Sequence, residues 1–261
     1  MWRLFVNADD FGLTDGVTEG IVAAMAAGLV GGATAMVCPE GARARLTRRE
    51  PALAGRLGLH LQLTGGRPCL PPSDIPSLVG PDGAFPRKKI AVGRLDPDEV
   101  RQEWRAQLAR LRQCGIEPSH LDAHHHIHKR PDVFPVFLEL ARELGVPARA
   151  LSDDMRRDLA AAGVPHAVRC VTDWFGQDTS TGHFLDLVAQ AARDVPEGGA
   201  IEVMTHPGRA DAALAAISTY AAGRDVELRV LTDPGLARDL AARGFVVIGS
   251  GDISAWPRAQ A

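Results

Sequence analysis

Lysine is scarce in this 261-residue chain: Lys88, Lys89 and Lys129 are the only three, and arginine supplies the remaining basic residues. No basic run forms, and the net charge of -3 argues against a nucleic-acid partner. Cysteine is scarce too. Cys38, Cys69, Cys114 and Cys170 lie far apart with no C-x-x-C pair, which argues against a zinc ribbon, and a disulfide framework is not expected at this length. No apolar run approaches transmembrane length, so no membrane partner is expected. The opening Met1–Val6 reaches Asn7 and two aspartates too soon to form the apolar region of a signal peptide. A cytoplasmic protein is the expectation. Finally, no G-x-G-x-x-G follows the first strand pattern, so a dinucleotide site is unsupported.

What remains is ordinary in bulk, with 46% hydrophobic and 23% charged residues, enough for one large α/β domain or two small ones. Strand and helix patterns alternate along it. Arg3–Ala8, Ala33–Cys38, Leu57–Leu63, Ser119–His124, Ala148–Leu151, Ala167–Thr172, Ala200–Thr205 and Phe245–Ile248 read as strands. Helices are predicted after Thr14 or Asp15, over Ala42–Ala54, from Asp96-Pro97 to about Gly115, from Pro131 to Gly145, over Met155–Ala162 and Thr181–Asp194, and after Asp233-Pro234. No composition break divides the chain, so one domain over 1–261 is expected. Alternation of this kind predicts parallel strands joined by crossover helices. The expected fold is a TIM-like (β/α) barrel, regular or irregular, of seven or eight strands. Thr64–Leu95 has no period and is rich in Pro and Gly, which predicts a lid-like insertion.

Five of the nine histidines lie within His120-Leu121-Asp122-Ala123-His124-His125-His126-Ile127-His128. Imidazole suits metal binding and proton transfer. On a strand, the period of two sends His120, Asp122 and His124 to one face. A solvated His-rich turn or a structural metal site would explain the run alone. Other elements point to the same place, because active sites of parallel barrels lie at the carboxyl ends of the strands. Asp9 and Asp10 end the first strand, His60 lies on the third, His124 ends the fourth and His206 ends a later one. One carboxylate and two imidazoles leave positions open for water and substrate, as a catalytic ion requires. Of two adjacent aspartates, one can bind metal while the other acts as base, and His206 is a candidate acid.

Four motifs then carry a resemblance: Asn7-Ala8-Asp9-Asp10-Phe11-Gly12, Gly58-Leu59-His60-Leu61 with Leu63-Thr64, the histidine run, and Glu202-Val203-Met204-Thr205-His206-Pro207. In order and spacing the chain resembles the YdjC-like carbohydrate deacetylases, which include chitooligosaccharide deacetylases, over essentially its whole length. The resemblance implies a (β/α) barrel with one divalent metal, Mg2+ or Zn2+, that hydrolyses the N-acetyl group of an amino sugar. It implies Asp10, His60 and His124 as metal ligands, Asp9 as general base, His206 near the leaving amine, and Arg149 steadying the base. Asp122, His126 and His128 are expected to orient the ligands, and a homodimer is implied by the family alone. Two other readings stay open: a metal-dependent phosphoesterase, and a sugar-binding protein that keeps the metal for structure.

Overall fold

Leu4 to Phe11 are all buried, as a strand covered on both faces must be, and they form most of the central strand β1, Trp2–Phe11. In this computed structural model, residues 1–48, 50–87, 93–176, 178–249 and 252 are described. Six further strands follow: β2 (Gly32–Ala35), β3 (Leu57–Leu61), β4 (Leu121–Ala123), β5 (Arg169–Val171), β6 (Ala200–Thr205) and β7 (Phe245–Val247). All pairings are parallel, in the order β4-β3-β2-β1-β6-β5, with β7 beside the start of β1. The result is an α/β fold whose parallel sheet curls into a half-barrel. The expected strand at Ala148–Leu151 is reduced to one parallel bridge between Ala148 and Leu121. There Arg149 N–H donates to Leu121 and Ala148 N–H to the Pro165 carbonyl.

Nine helices are described: α1 (Asp15–Ala26), α2 (Ala42–Leu46), α3 (Pro97–Gln113), α4 (Phe134–Leu144), α5 (Asp153–Ala161), α6 (Thr181–Arg193), α7 (Ala212–Ile217), α8 (Ala222–Leu231) and α9 (Pro234–Ala242). Their starts follow capping chemistry. Thr14, Asp96, Ser152, Ser180, Asp211 and Asp233 each accept a hydrogen bond from a first-turn N–H. Two expected boundaries move. The helix expected from Pro131 begins at Phe134, and that expected over Ala42–Ala54 stops at Leu46, with Pro51–Leu53 forming a separate 3-10 turn.

One large apolar core lies between sheet and helices, and a smaller cluster of Phe5, Ala167, Ala200 and Ile248 stands apart from it. The sheet also buries a set of polar side chains. Asn7, Asp9, Thr34, His60, Asp122 and Glu202 are all buried. Gly58 permits this crowding: a Cβ there would come within 2.5 Å of the His120 carbonyl and 2.7 Å of its ring. The insertion expected over Thr64–Leu95 is anchored along its described part, while residues 88–92 lie outside the described residues. Cys69 and Leu70 N–H donate to the buried Glu103 of α3, Ser77 N–H donates to Glu99, and Ile75, Leu78 and Phe85 are buried.

Candidate active site

A strand of strict period two would send Asp9 and Asp10 to opposite faces. Here Ala8 pairs with Ala33 and Phe11 with Ala35, so both aspartates oppose the single residue Thr34. That is a β-bulge, and it turns two consecutive carboxylates toward one interior. Asp10 takes φ 74°, a left-handed conformation costly for a non-glycine residue, on the order of 1–3 kcal/mol. His125 and His126 share it at φ 53°, where the chain leaves β4. Backbone strain is thus concentrated at the histidine run and the aspartate pair.

Asp10, His60 and His124 meet. His60 Nε2 lies 3.3 Å and His124 Nδ1 3.1 Å from Asp10 Oδ1. These three donor atoms lie within 4.8 Å of one another, close enough to share one ion. The other nitrogen of His60, Nδ1, lies 2.6 Å from Asp122 Oδ1. A ring that donates Nδ1–H to a carboxylate presents its Nε2 lone pair to the ion, the usual support of a metal-binding histidine. Asp122 therefore stands where a ligand-orienting residue is expected. His128 packs on Phe137 at 4.5 Å between centroids, and His126 lies 6.2 Å from His128.

Asp9 is held differently. Arg149, buried, donates to both its oxygens at 2.7 and 2.8 Å, to Glu202 at 2.7 Å, and pairs with Asp122 at 2.9 Å. Burial pushes the Asp9 carboxyl up, but the Arg149 guanidinium overrides it and holds the group well below the usual carboxylate range. Asn7 Nδ2 also donates to Asp9 at 2.8 Å, and Asn7 Oδ1 lies 2.7 Å from His120 Nε2. Burial brings His120 down to about 3, so its neutral ring can donate Nε2–H to Asn7. His120 thus fixes Asn7, and Asn7 fixes Asp9.

Charge supplies the test of whether an ion fits. Asp9, Asp10, Asp122 and Glu202 are four buried carboxylates served by two buried guanidiniums, Arg149 and Arg224. The buried carboxylates thus outnumber the buried guanidiniums, an excess of negative charge that a divalent cation offsets. Without an ion, burial pushes the His60 imidazole down, yet Asp122, Asp10 and Asp9 raise it to about 10. The donor set and the charge both fit a divalent ion.

Arg224 and Glu227, from α8, were not legible in the sequence. Arg224 donates to Asp10 Oδ2 at 2.5 Å and to the Tyr220 carbonyl at 3.2 Å. Glu227 accepts from the His206 backbone N–H at 2.5 Å and from the Tyr220 hydroxyl at 2.6 Å. His206 itself packs against Phe175, with 5.0 Å between centroids. Burial pushes its imidazole down to about 4. Burial raises Glu227 from 4.5 to about 7. Between those values the folded chain keeps a proton that the unfolded chain has released, so Glu227 makes stability fall as pH rises through that window. Glu227→Gln is expected to flatten the slope, with its Tm gaining on wild type from about pH 5 to about pH 8 in thermal scans. An unchanged slope would contradict this account of Glu227.

Fold and site together define a class: a parallel α/β protein whose strand ends hold a carboxylate-imidazole group suited to one ion, beside an ionised aspartate clamped by arginine. The chain belongs to the YdjC-like protein family, whose model matches residues 3–242. It is 38% identical over 245 residues to a carbohydrate deacetylase of Geobacillus stearothermophilus, covering 93% of this chain and 94% of the relative. It is 36% identical to the chitooligosaccharide deacetylase of Serratia marcescens, covering 94% and 96%. A solved structure from Enterococcus faecalis V583, whose name suggests cellobiose-phosphate cleavage, superposes with a TM-score of 0.86 at 31% identity, covering 95% of this chain and 97% of that one. Among the described residues no helix is long and apolar enough to cross a membrane.

Proposed function

We propose that this chain is a metal-dependent carbohydrate deacetylase: water cleaves the acetamide C–N bond of an N-acetylated amino sugar, giving the free amine and acetate. The observation that carries the reading is the adjacency of two built groups, the Asp10, His60 and His124 triplet and the Asp9–Arg149 pair, on neighbouring residues of one strand. Relatives named as carbohydrate and chitooligosaccharide deacetylases support the substrate class.

Asp10, His60 and His124 would hold the ion, Zn2+ or Mg2+; two imidazoles and one carboxylate suit zinc, and the family resemblance adds magnesium. Bound there, a divalent ion supplies Lewis-acid polarisation of the acetamide carbonyl and of water. Asp122 keeps His60 in the donating tautomer. Asp9, kept ionised by Arg149, takes the proton of the attacking water at a carboxylate oxygen. His206 is neutral near pH 7 in the free site, so the proton it passes to the leaving nitrogen is one gained during turnover, and Asp9 is the group that has just acquired one. The reaction balances with water as the sole co-reactant.

The same reading takes the curled sheet as an irregular TIM-like barrel, the chain as one domain, and the anchored segment after Thr64 as a wall of the sugar pocket. It keeps a cytoplasmic homodimer as its expectation. His124→Ala is expected to lose both the metal and turnover, read by elemental analysis and acetate assay; metal retained at the wild-type level would contradict the ligand assignment. Offering acetylated and phosphorylated sugars side by side tests the reaction class. Acetate release supports deacetylation, whereas phosphate release without acetate makes the chain a phosphoesterase.

A further inference from the structure

Among the described residues four large apolar side chains are exposed, Met1, Phe175, Ile217 and Val246, and Phe175 is the one aromatic among them, 45% exposed. It follows Trp174, whose buried ring stacks edge-on against Phe184 of α6 at 4.9 Å, so Phe175 projects from an anchored turn beyond β5. Its ring meets two others, Tyr220 at 4.2 Å and His206 at 5.0 Å between centroids. Tyr220 is held from both ends. Its hydroxyl donates to Glu227, which also accepts the His206 N–H, and its carbonyl accepts from Arg224, whose other donor reaches Asp10. One arginine therefore spans from the ligand triplet to this aromatic pair.

We infer that Phe175 and Tyr220 form the surface on which the pyranose ring of the amino sugar lies, an inference that rests on the proposed deacetylation. The acetamide has two ends. Its carbonyl belongs at Asp10, His60 and His124, and its nitrogen belongs at His206. The sugar ring is bonded to that nitrogen, so it must extend past His206 on the side away from the triplet. The aromatic rings beside His206 are Phe175, at 5.0 Å, and Tyr220, at 6.2 Å between centroids. A pyranose carries an apolar face of axial C–H groups, and an exposed aromatic ring is the side chain that covers such a face with little entropy cost. The inference also fixes substrate class. A cyclic hexosamine gains the contact, and an acyclic N-acetyl amine does not.

Phe175 is half exposed, so its truncation leaves the core intact. The probe is the β-linked disaccharide of N-acetylglucosamine. Phe175→Ala is expected to raise KM about tenfold, the loss of one stacking contact, with kcat changed less than twofold, and Phe175→Tyr is expected to restore KM. Direct titration of the disaccharide into the Asp9→Asn protein and into Asp9→Asn/Phe175→Ala reads the same contact without turnover. If wild type releases acetate but Phe175→Ala keeps its KM, the platform is wrong and the deacetylase reading stands. If no acetate is released yet the disaccharide binds in a Phe175-dependent way, the platform stands and the proposed reaction fails. If the disaccharide neither reacts nor binds, both fall.

Discussion

Asp9→Asn lowers kcat by roughly three orders of magnitude, within the range expected for loss of a general base, while bound metal stays at the wild-type level. The two halves of that result follow from different contacts. The proposed ligands are Asp10, His60 and His124, and Asp9, turned to the same interior by the bulge, is proposed as the base. An asparagine keeps the shape and one oxygen acceptor for Arg149, and Arg149 keeps Asp122 and Glu202. Folding and metal binding therefore survive, and what is removed is the oxygen that can take a proton. Steady-state rates with metal analysis on one preparation check both halves. Turnover within tenfold of wild type would take the base role from Asp9, and loss of metal would move Asp9 into the ligand set.

Arg149→Met gives the largest expected effect on stability, about 3–5 kcal/mol, the range for removing one partner of a buried ion pair. One guanidinium serves Asp9, Asp122 and Glu202, and all four groups are buried. Burial already raises the carboxyls of Asp122 and Glu202 against the pull of Arg149. Without the cation these groups rise further and take up protons in the folded state. Native chain then binds more protons than unfolded chain, so the deficit of Arg149→Met shrinks as pH falls from about 7 toward about 5. Denaturant melts at the two pH values check this. A deficit that does not depend on pH would mean that lost packing, not stranded charge, is what the variant suffers.

That Asp10, His60 and His124 meet was legible because each lies at or near a strand's carboxyl end: Asp10 one residue from the end of β1, His60 one from the end of β3, His124 just after β4. Burial and parallel order then bring strand ends together whatever the details of the loops. Arg149 was reachable only through the family resemblance, since the strand pattern at Ala148–Leu151 gave the residue no role of its own. The bulge was not legible, because an extra residue in a strand leaves no mark in the pattern of apolar side chains, and it decides where Asp10 points. Arg224 and Glu227 were missed for a related reason. The buried residues of α8 are Arg224, Glu227, Leu228 and Leu231, so half of its inward face is charged and the helical apolar period is broken. The fold class was read correctly as parallel α/β. The expected TIM-like barrel is seen as a half-barrel of parallel strands, and Ala148 supplies a bridge where a strand was expected.

The measurement closest to the central claim is acetate release from N-acetylated sugars by purified protein of known metal content, before and after chelation, with metal restored. The account predicts release with one divalent ion per chain, loss with the chelator, and recovery when Zn2+ or Mg2+ is returned. Release that persists at full rate with no metal bound would contradict it.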